Sequence, residues 1–324
     1  MIKSLTVTNY LGKSLKITLT EAMPSHGLLI QSITGIGPAD AELNYSDYAI
    51  NDGSEFNSAR LGKRSIQITF MLTANEDVTV EQARHITYQF FPTKKDVRLL
   101  FETDERTLYC YGRVEHNTPD IFKQQELATI DITCGDPYFY KIVDGYEDNV
   151  VSAALIEGAF SSEYASPSDP SDDSLSTYFT NEGDPNIEFG TYLTTGAITE
   201  NLKNEGDAEV GFNLKIAFNG PIEGDIIIAN ANQETIKIRT SVIEELIGSS
   251  ISQGDVIKLS TDPKYRYLTL TKSGEEMNVL NALDFDNLTW LTLSPGDNLI
   301  TYYVDNGEDT TEATFSYKIL YLGV

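Results

Sequence analysis

The side chains able to do chemistry are few, and their spacing suits no familiar reaction. The chain has three histidines, His26, His85 and His116, and two cysteines, Cys110 and Cys134. A Ser-His-Asp arrangement needs an imidazole beside its nucleophile, and no histidine occurs after residue 116. No H-E-x-x-H, C-x-x-C, P-loop, dinucleotide-binding or G-x-S-x-G pattern is present. Two cysteines cannot cage a metal by themselves; both lie in apolar, strand-like sequence and read as free buried thiols. Paired carboxylates can cleave a glycosidic bond across a fixed gap, and the chain has 49 Asp+Glu. Asp284 and Asp286, two residues apart, read as a surface turn instead. The run Ser168-Asp169-Pro170-Ser171-Asp172-Asp173 lacks the alternating ligand spacing of a calcium loop. The expectation is a chain with no catalytic residues, no metal and no cofactor.

Two constellations suit binding better than catalysis. Arg60, Lys63, Arg64, Arg84, Lys94, Lys95 and Arg98 form a basic excess in a chain of formal net charge -26. They fit either an acidic partner, including the next copy of the same chain, or ordinary surface ion pairing. Tyr265, Tyr267 and Trp290 fit either an aromatic platform for a sugar ring or hairpin packing.

Stepping along the chain, hydrophobic period defines the elements that carry these residues. Leu5 and Val7, then Leu15, Ile17 and Leu19, alternate with polar residues around an Asn9–Lys13 turn, as in a half-buried sheet. Leu28–Ile33 is a further strand, and residues 37–58 read as a long polar surface loop. Ile66, Ile68, Phe70 and Leu72 share one strand face. Thr79 and Gln82 form a capping box, after which Val80, Ala83, Ile86 and Phe90 recur at helical spacing until Pro92. Residues 97–101 and 106–114 pair as a hairpin, and Ala128, Ile130, Ile132 and Cys134 face one way on the strand after it. The stretch Arg60–Tyr140 is thus a closed unit ending in Cys134-Gly135-Asp136-Pro137-Tyr138-Phe139-Tyr140.

After Tyr140 the chain changes character. Residues 1–140 hold 13 Lys+Arg and 18 Asp+Glu, a net of -5, so most of the acidity follows them. A Ser/Asp/Pro-rich stretch centred on 161–186 has little to bury and reads as a loop or linker. Short strands at sandwich spacing resume at Val210 and run to Tyr321. The expected division is 1–140, a linker over 141–205, and a second domain over 206–324. No apolar run approaches the roughly 20 residues of a membrane span, and the first residues show no apolar leader core. These features predict a soluble protein made in the cytoplasm. So negative a surface repels nucleic acid and anionic lipid.

Four features together resemble the distal tail protein (Dit) family of long-tailed phages. They are Ile30-Gln31-Ser32-Ile33-Thr34-Gly35 with the Asp52-Gly53 turn before Arg60 and Arg64; the Ser65–Leu72 strand, the helix with Glu81 and Arg84, and Leu99-Leu100-Phe101; the closing Cys134–Phe139 run; and Gly254-Asp255 with Asn287–Asn298 and the ending Tyr321-Leu322-Gly323-Val324. The resemblance implies a mainly-β fold: an N-terminal β-sandwich with one packed helix and a hairpin, then a galectin-like β-sandwich. It implies a homohexameric ring at the distal end of the virion tail. Such a ring joins the tail tube protein to the tail-associated lysin or fibre and to receptor-binding or baseplate proteins, without catalysis. On that reading Arg60, Arg64, Arg84 and Arg98 are candidate contacts between subunits. Carbohydrate recognition by the second sandwich, through Tyr265, Tyr267 and Trp290, is the alternative.

Overall fold

The computed structural model of the protein describes residues 1–20, 24–142, 153–154, 198–222, 224–304 and 311–324. Most of the acidic stretch expected over 141–205, with its Asp cluster, lies outside these residues. The chain divides into two units: Met1–Asn149 with Gly206–Ala208 and Lys318–Val324, and Val150–Glu205 with Glu209–Tyr317.

Period-2 alternation builds the first unit. Its strands are β1 (Ile2–Asn9), β2 (Ser14–Thr18), β3 (Leu28–Thr34), β4 (Ala41–Asp47), β5 (Ser54–Leu61), β6 (Arg64–Leu72), β7 (Asp96–Thr103), β8 (Thr107–Asp120), β9 (Leu127–Cys134) and β10 (Phe139–Lys141). All ladders are antiparallel, and one sheet runs β2-β1-β7-β8-β9-β6-β3. Ile66, Ile68 and Phe70 of β6 and Ala128, Ile130 and Ile132 of β9 are fully buried on the core side of this sheet. Gly112 of β8 is required by packing: a Cβ there would lie 2.4 Å from the Ile132 side chain and 2.9 Å from Cys134 Sγ.

Helix α1 (Val80–Phe90) starts at the predicted capping box, with Thr79 Oγ1 accepting from Gln82 N and Gln82 Oε1 accepting from Thr79 N. Of the predicted Val80/Ala83/Ile86/Phe90 stripe, Ala83 is buried and the other three are half-buried, and Thr87 joins Ala83 in the buried line. The last carbonyls of a helix run short of backbone donors, and here Phe91 N reaches Thr87 O at 2.8 Å. Side chains add donors: Asn9 Nδ2 donates to Gln89 O at 3.0 Å, and Asn117 Nδ2 to Thr87 O and Phe91 O at 3.2 and 3.1 Å.

The 37–58 region is not a loop. β4 and β5 pair as a separate two-stranded hairpin in which almost every residue is exposed. Strand identity was hidden there because no face is buried within the chain, so the usual hydrophobic alternation is diluted by Ala, Ser and Asn.

The second unit contains β11 (Ala153–Ala154), β12 (Ile198–Asn201), β13 (Phe212–Phe218), β14 (Ile226–Asn230), β15 (Thr235–Ile238), β16 (Val256–Ser260), β17 (Tyr267–Lys272), β18 (Glu275–Asn278), β19 (Leu299–Val304) and β20 (Thr311–Tyr317). They form sheets in the orders β11-β20-β13-β16-β17-β18 and β12-β19-β14-β15. Leu214, Ile216 and Leu259 of the first sheet and Ile226, Ile228 and Ile238 of the second are buried. Helix α2 (Thr240–Ile247) interrupts the expected all-strand run and ends at Gly248, whose φ of 68° suits a left-handed cap. The mainly-β class predicted from alternation stands.

The predicted last strand over 314–321 is two elements. β20 ends at Tyr317, while β21 (Leu320–Tyr321) pairs with β10 in the sheet of the first unit.

Acid should loosen the β1–β2–β7 corner of that sheet. Glu102 Oε2 accepts from Lys16 Nζ at 2.7 Å and from Ser4 Oγ at 2.5 Å. These bonds, Lys16 first, hold the Glu102 carboxyl below the usual glutamate value of 4.5. A lowered value means that the stabilisation is present above the unfolded value and is lost as pH falls through the folded one. Glu102→Gln is therefore expected to lower the urea midpoint at neutral pH. The gap from the wild type should shrink as the buffer is taken well below pH 4.5; a gap that persists in acid would refute the assignment.

Candidate functional site

The residue types that suggested an assembly site resolve into three internal clamps and one surface pair. Arg64 opens β6 opposite Cys134 of β9, and only 2% of it is exposed. Its Nε and Nη2 both donate to Pro137 O, at 2.8 and 2.6 Å. Nη1 donates to Gly35 O at 2.8 Å and also to Gly37 O, and Nη2 donates to Leu322 O at 2.7 Å. The guanidinium lies 4.2 Å above the Phe139 ring, which meets Phe101 edge-on at 5.8 Å. Burial draws the guanidinium below its usual value, and the neighbouring Cys110 and Cys134 thiols oppose that shift. Arg64 thus spends its planar donor fork on backbone carbonyls from three separate segments. Within the chain it is a fold-closing residue.

The Cys134–Tyr140 run is the other half of this clamp. Pro137 presents its carbonyl to Arg64, and Phe139 is buried beneath it. Asp136 caps the turn, accepting from Tyr138 N at 3.2 Å and from the Tyr140 hydroxyl at 2.5 Å.

Arg84 of α1 makes a two-pronged bond to Glu126, just before β9, at 3.1 and 3.0 Å, with both side chains mostly buried. Arg98 on β7 lies over the Tyr109 ring at 4.7 Å. Arg60 alone is well exposed; it pairs with Glu42 across the β4–β5 hairpin at 2.7 Å. The four arginines therefore do not share one surface.

The aromatic trio has a cation beside it. Arg266, between the two tyrosines, stacks over Trp290 at 4.8 Å. Tyr265 is 72% exposed, and Tyr267 is less so.

The other reactive groups also have structural contacts. Cys110 and Cys134 are free and buried, and the bond to Cys134 together with burial pushes the Cys110 thiol well up. His26 Nδ1 accepts from Leu28 N at 3.1 Å, His85 meets Tyr88 edge-on, and His116 Nδ1 lies 3.7 Å from Asp131. Among the described residues, no group of three His, Cys, Asp or Glu is placed to hold a metal. No described helix is long and apolar enough to cross a membrane. A cleft of about 550 Å³ beside α2 is lined by Asp225, Ile227, Lys237, Glu244 and Tyr303. Its Lys237 and Asp225 pair with each other at 2.9 Å.

What sequence reasoning missed is the surface of the hairpin. Leu43, Tyr45 and Phe56 are each more than half exposed, and Tyr45 and Phe56 meet edge-on at 5.7 Å. The available signal was the alternation of Leu43 and Tyr45 ahead of the Asp52-Gly53 turn.

No family model matches the chain, and no curated protein does. Solved structures do. The Dit protein (gp 19.1) of phage SPP1, a paradigm of the hub adsorption apparatus in Gram-positive infecting phages, matches with a TM-score of 0.60 at 14% identity, covering 98% of this chain and 98% of that one. The phage P2 baseplate in its activated conformation with Ca matches at 0.42 and 14% identity, covering 98% of both chains. The form of that baseplate with Sr matches at 0.41 and 14%, covering 97% of both. The SPP1 match runs through both units, and the fold of this chain is that of a phage Dit protein.

Proposed function

We propose that the chain is a distal tail protein: a non-enzymatic hub at the tip of a long phage tail. Six copies form a ring through the first unit. The ring joins the tail tube to the tail-tip lysin or fibre and to receptor-binding or baseplate proteins. The observation that carries this reading is the end-to-end fold match to a hub protein, with 98% of each chain covered. The distribution of apolar surface supports it. Tyr10, Leu11, Leu43, Tyr45, Phe56 and Phe122 of the first unit are all more than half exposed, and Tyr45 and Phe56 meet on one hairpin face. A conduit that DNA must pass without adhering needs lumen-facing residues that share the negative sign of the chain, whose residues 1–140 carry a net of -5. Carbohydrate recognition has weaker support, because Trp290 is covered by Arg266.

Native mass spectrometry and negative-stain images of the purified full-length chain test the reading. Six-fold rings are the expected result. A chain that stays monomeric throughout a concentration series would overturn it.

A further inference from the structure

The β4–β5 hairpin has two unlike faces. Residues directly opposite each other in an antiparallel pair share a face, and the register pairs Ala41 with Leu61, Leu43 with Ala59 and Tyr45 with Phe56. One face is therefore apolar from Ala41 to Tyr45, and it ends at the tip in the Asp47–Ser54 hydrogen bond at 2.8 Å. The other carries the Glu42–Arg60 ion pair and the Asn44–Ser58 hydrogen bond at 3.0 Å. The polar side is satisfied internally, whereas the apolar side lies open to water. An isolated two-stranded hairpin is marginal in water and needs a surface to pack on. Its charge narrows the choice of surface: from Asp40 to Leu61 there are five carboxylates and one arginine.

The same unit holds a patch of opposite character. At the β1–β2 turn Tyr10 and Leu11 are 51% and 63% exposed. The Lys95 ammonium lies 5.1 Å over the Tyr10 ring, and Lys13 and Lys94 are exposed. This is an apolar spot framed by lysines in an acidic protein. The register Asn9–Val97–Gly112 and Arg113–Thr133–Ser65 puts the patch and the root of the hairpin at the same end of the sheet. Four strand spacings separate them, about 19 Å along the sheet. They are two different patches on one chain, complementary in charge and both apolar at the centre.

We propose that the acidic, apolar-faced β4–β5 hairpin of one copy docks on the Tyr10–Leu11 patch of a second copy. The proposal rests on the ring reading above and names the surfaces that would make it. A contact between unlike patches is head-to-tail, and head-to-tail contacts close into rings or run on as filaments. Lysines around the patch steer the acidic hairpin, and Tyr45 and Phe56 supply the buried anchors.

Two full-length variants test this. Tyr45→Ser with Phe56→Ser spoils the hairpin face, and Lys94→Glu with Lys95→Glu spoils the patch; all four residues are solvent-exposed, so circular dichroism and melting should match the wild type. Each variant alone is expected to lose self-association by about tenfold or more in sedimentation velocity. An equimolar mixture retains one intact interface per pair and is expected to form dimers and stop there. If the wild type forms rings and either variant does too, the ring reading stands and this inference falls. Variants that stay monomeric when mixed also overturn it. A wild type that never associates overturns both.

Discussion

Arg64→Ala is expected to cost the first unit about 3–5 kcal/mol of stability, because it removes a buried cation and strands its carbonyl partners. For a unit of this size that lowers the melting temperature by roughly 6–20 °C. Gly35, Gly37, Pro137 and Leu322 would each lose a charge-assisted bond. Lysine should recover only part of the loss, since its three donors sit on one nitrogen and cannot span the carbonyls that the planar guanidinium fork reaches. Arg64→Glu should be worse than alanine, setting a carboxylate against a ring of carbonyl oxygens. Calorimetry of the three variants checks the order. If Arg64→Ala melted like the wild type while association changed, Arg64 would be a contact residue after all.

Gly211→Ala should damage the second unit comparably, by about 3 kcal/mol or more. A Cβ at Gly211 would lie 2.6 Å from both Cα and N of Asp262 and 2.8 Å from Thr261 C. These are backbone atoms, and the approach is pinned on both sides. Phe212 N donates to Thr261 Oγ1 at 2.9 Å, and Thr261 N donates to Phe212 O at 2.9 Å. The clash can be relieved only by breaking those bonds. Gly135→Ala is the control: nothing lies within 4 Å of a Cβ there, and a change within about 0.5 kcal/mol is expected. A Gly211→Ala protein with an unshifted urea transition would show that the 211–212 and 261–262 segments move apart freely.

Features governed by local period were readable without a structure. Ile66, Ile68, Phe70 and Leu72 alternate because one side of β6 is buried, and Thr79 with Gln82 announces α1 through bonds spanning three residues. Features governed by distant partners were not readable. Arg64 sits in the run Gly62-Lys63-Arg64-Ser65, where a buried arginine looks like an exposed one; only the fold brings Pro137 and Leu322 to it. The same limit hid the parting of Tyr317 and Leu320 into different sheets, since a strand pattern does not name its neighbour. Arg84 was read as either a contact with another subunit or an ion-paired side chain, and its partner within the chain, Glu126, lies 42 residues away. Helix α2 was missed for a local reason: Val242, Ile243, Leu246 and Ile247 make an apolar pattern too short to separate from a strand.

The bond between Arg64 and Leu322 spans 258 residues. A ribosome adding roughly 5–20 residues per second needs about 13–50 s to cover that distance. Throughout translation of the second unit, the first unit lacks β21, and Arg64 lacks one of its acceptors. A nascent chain therefore carries an unfinished first unit until residues 320–322 have been added.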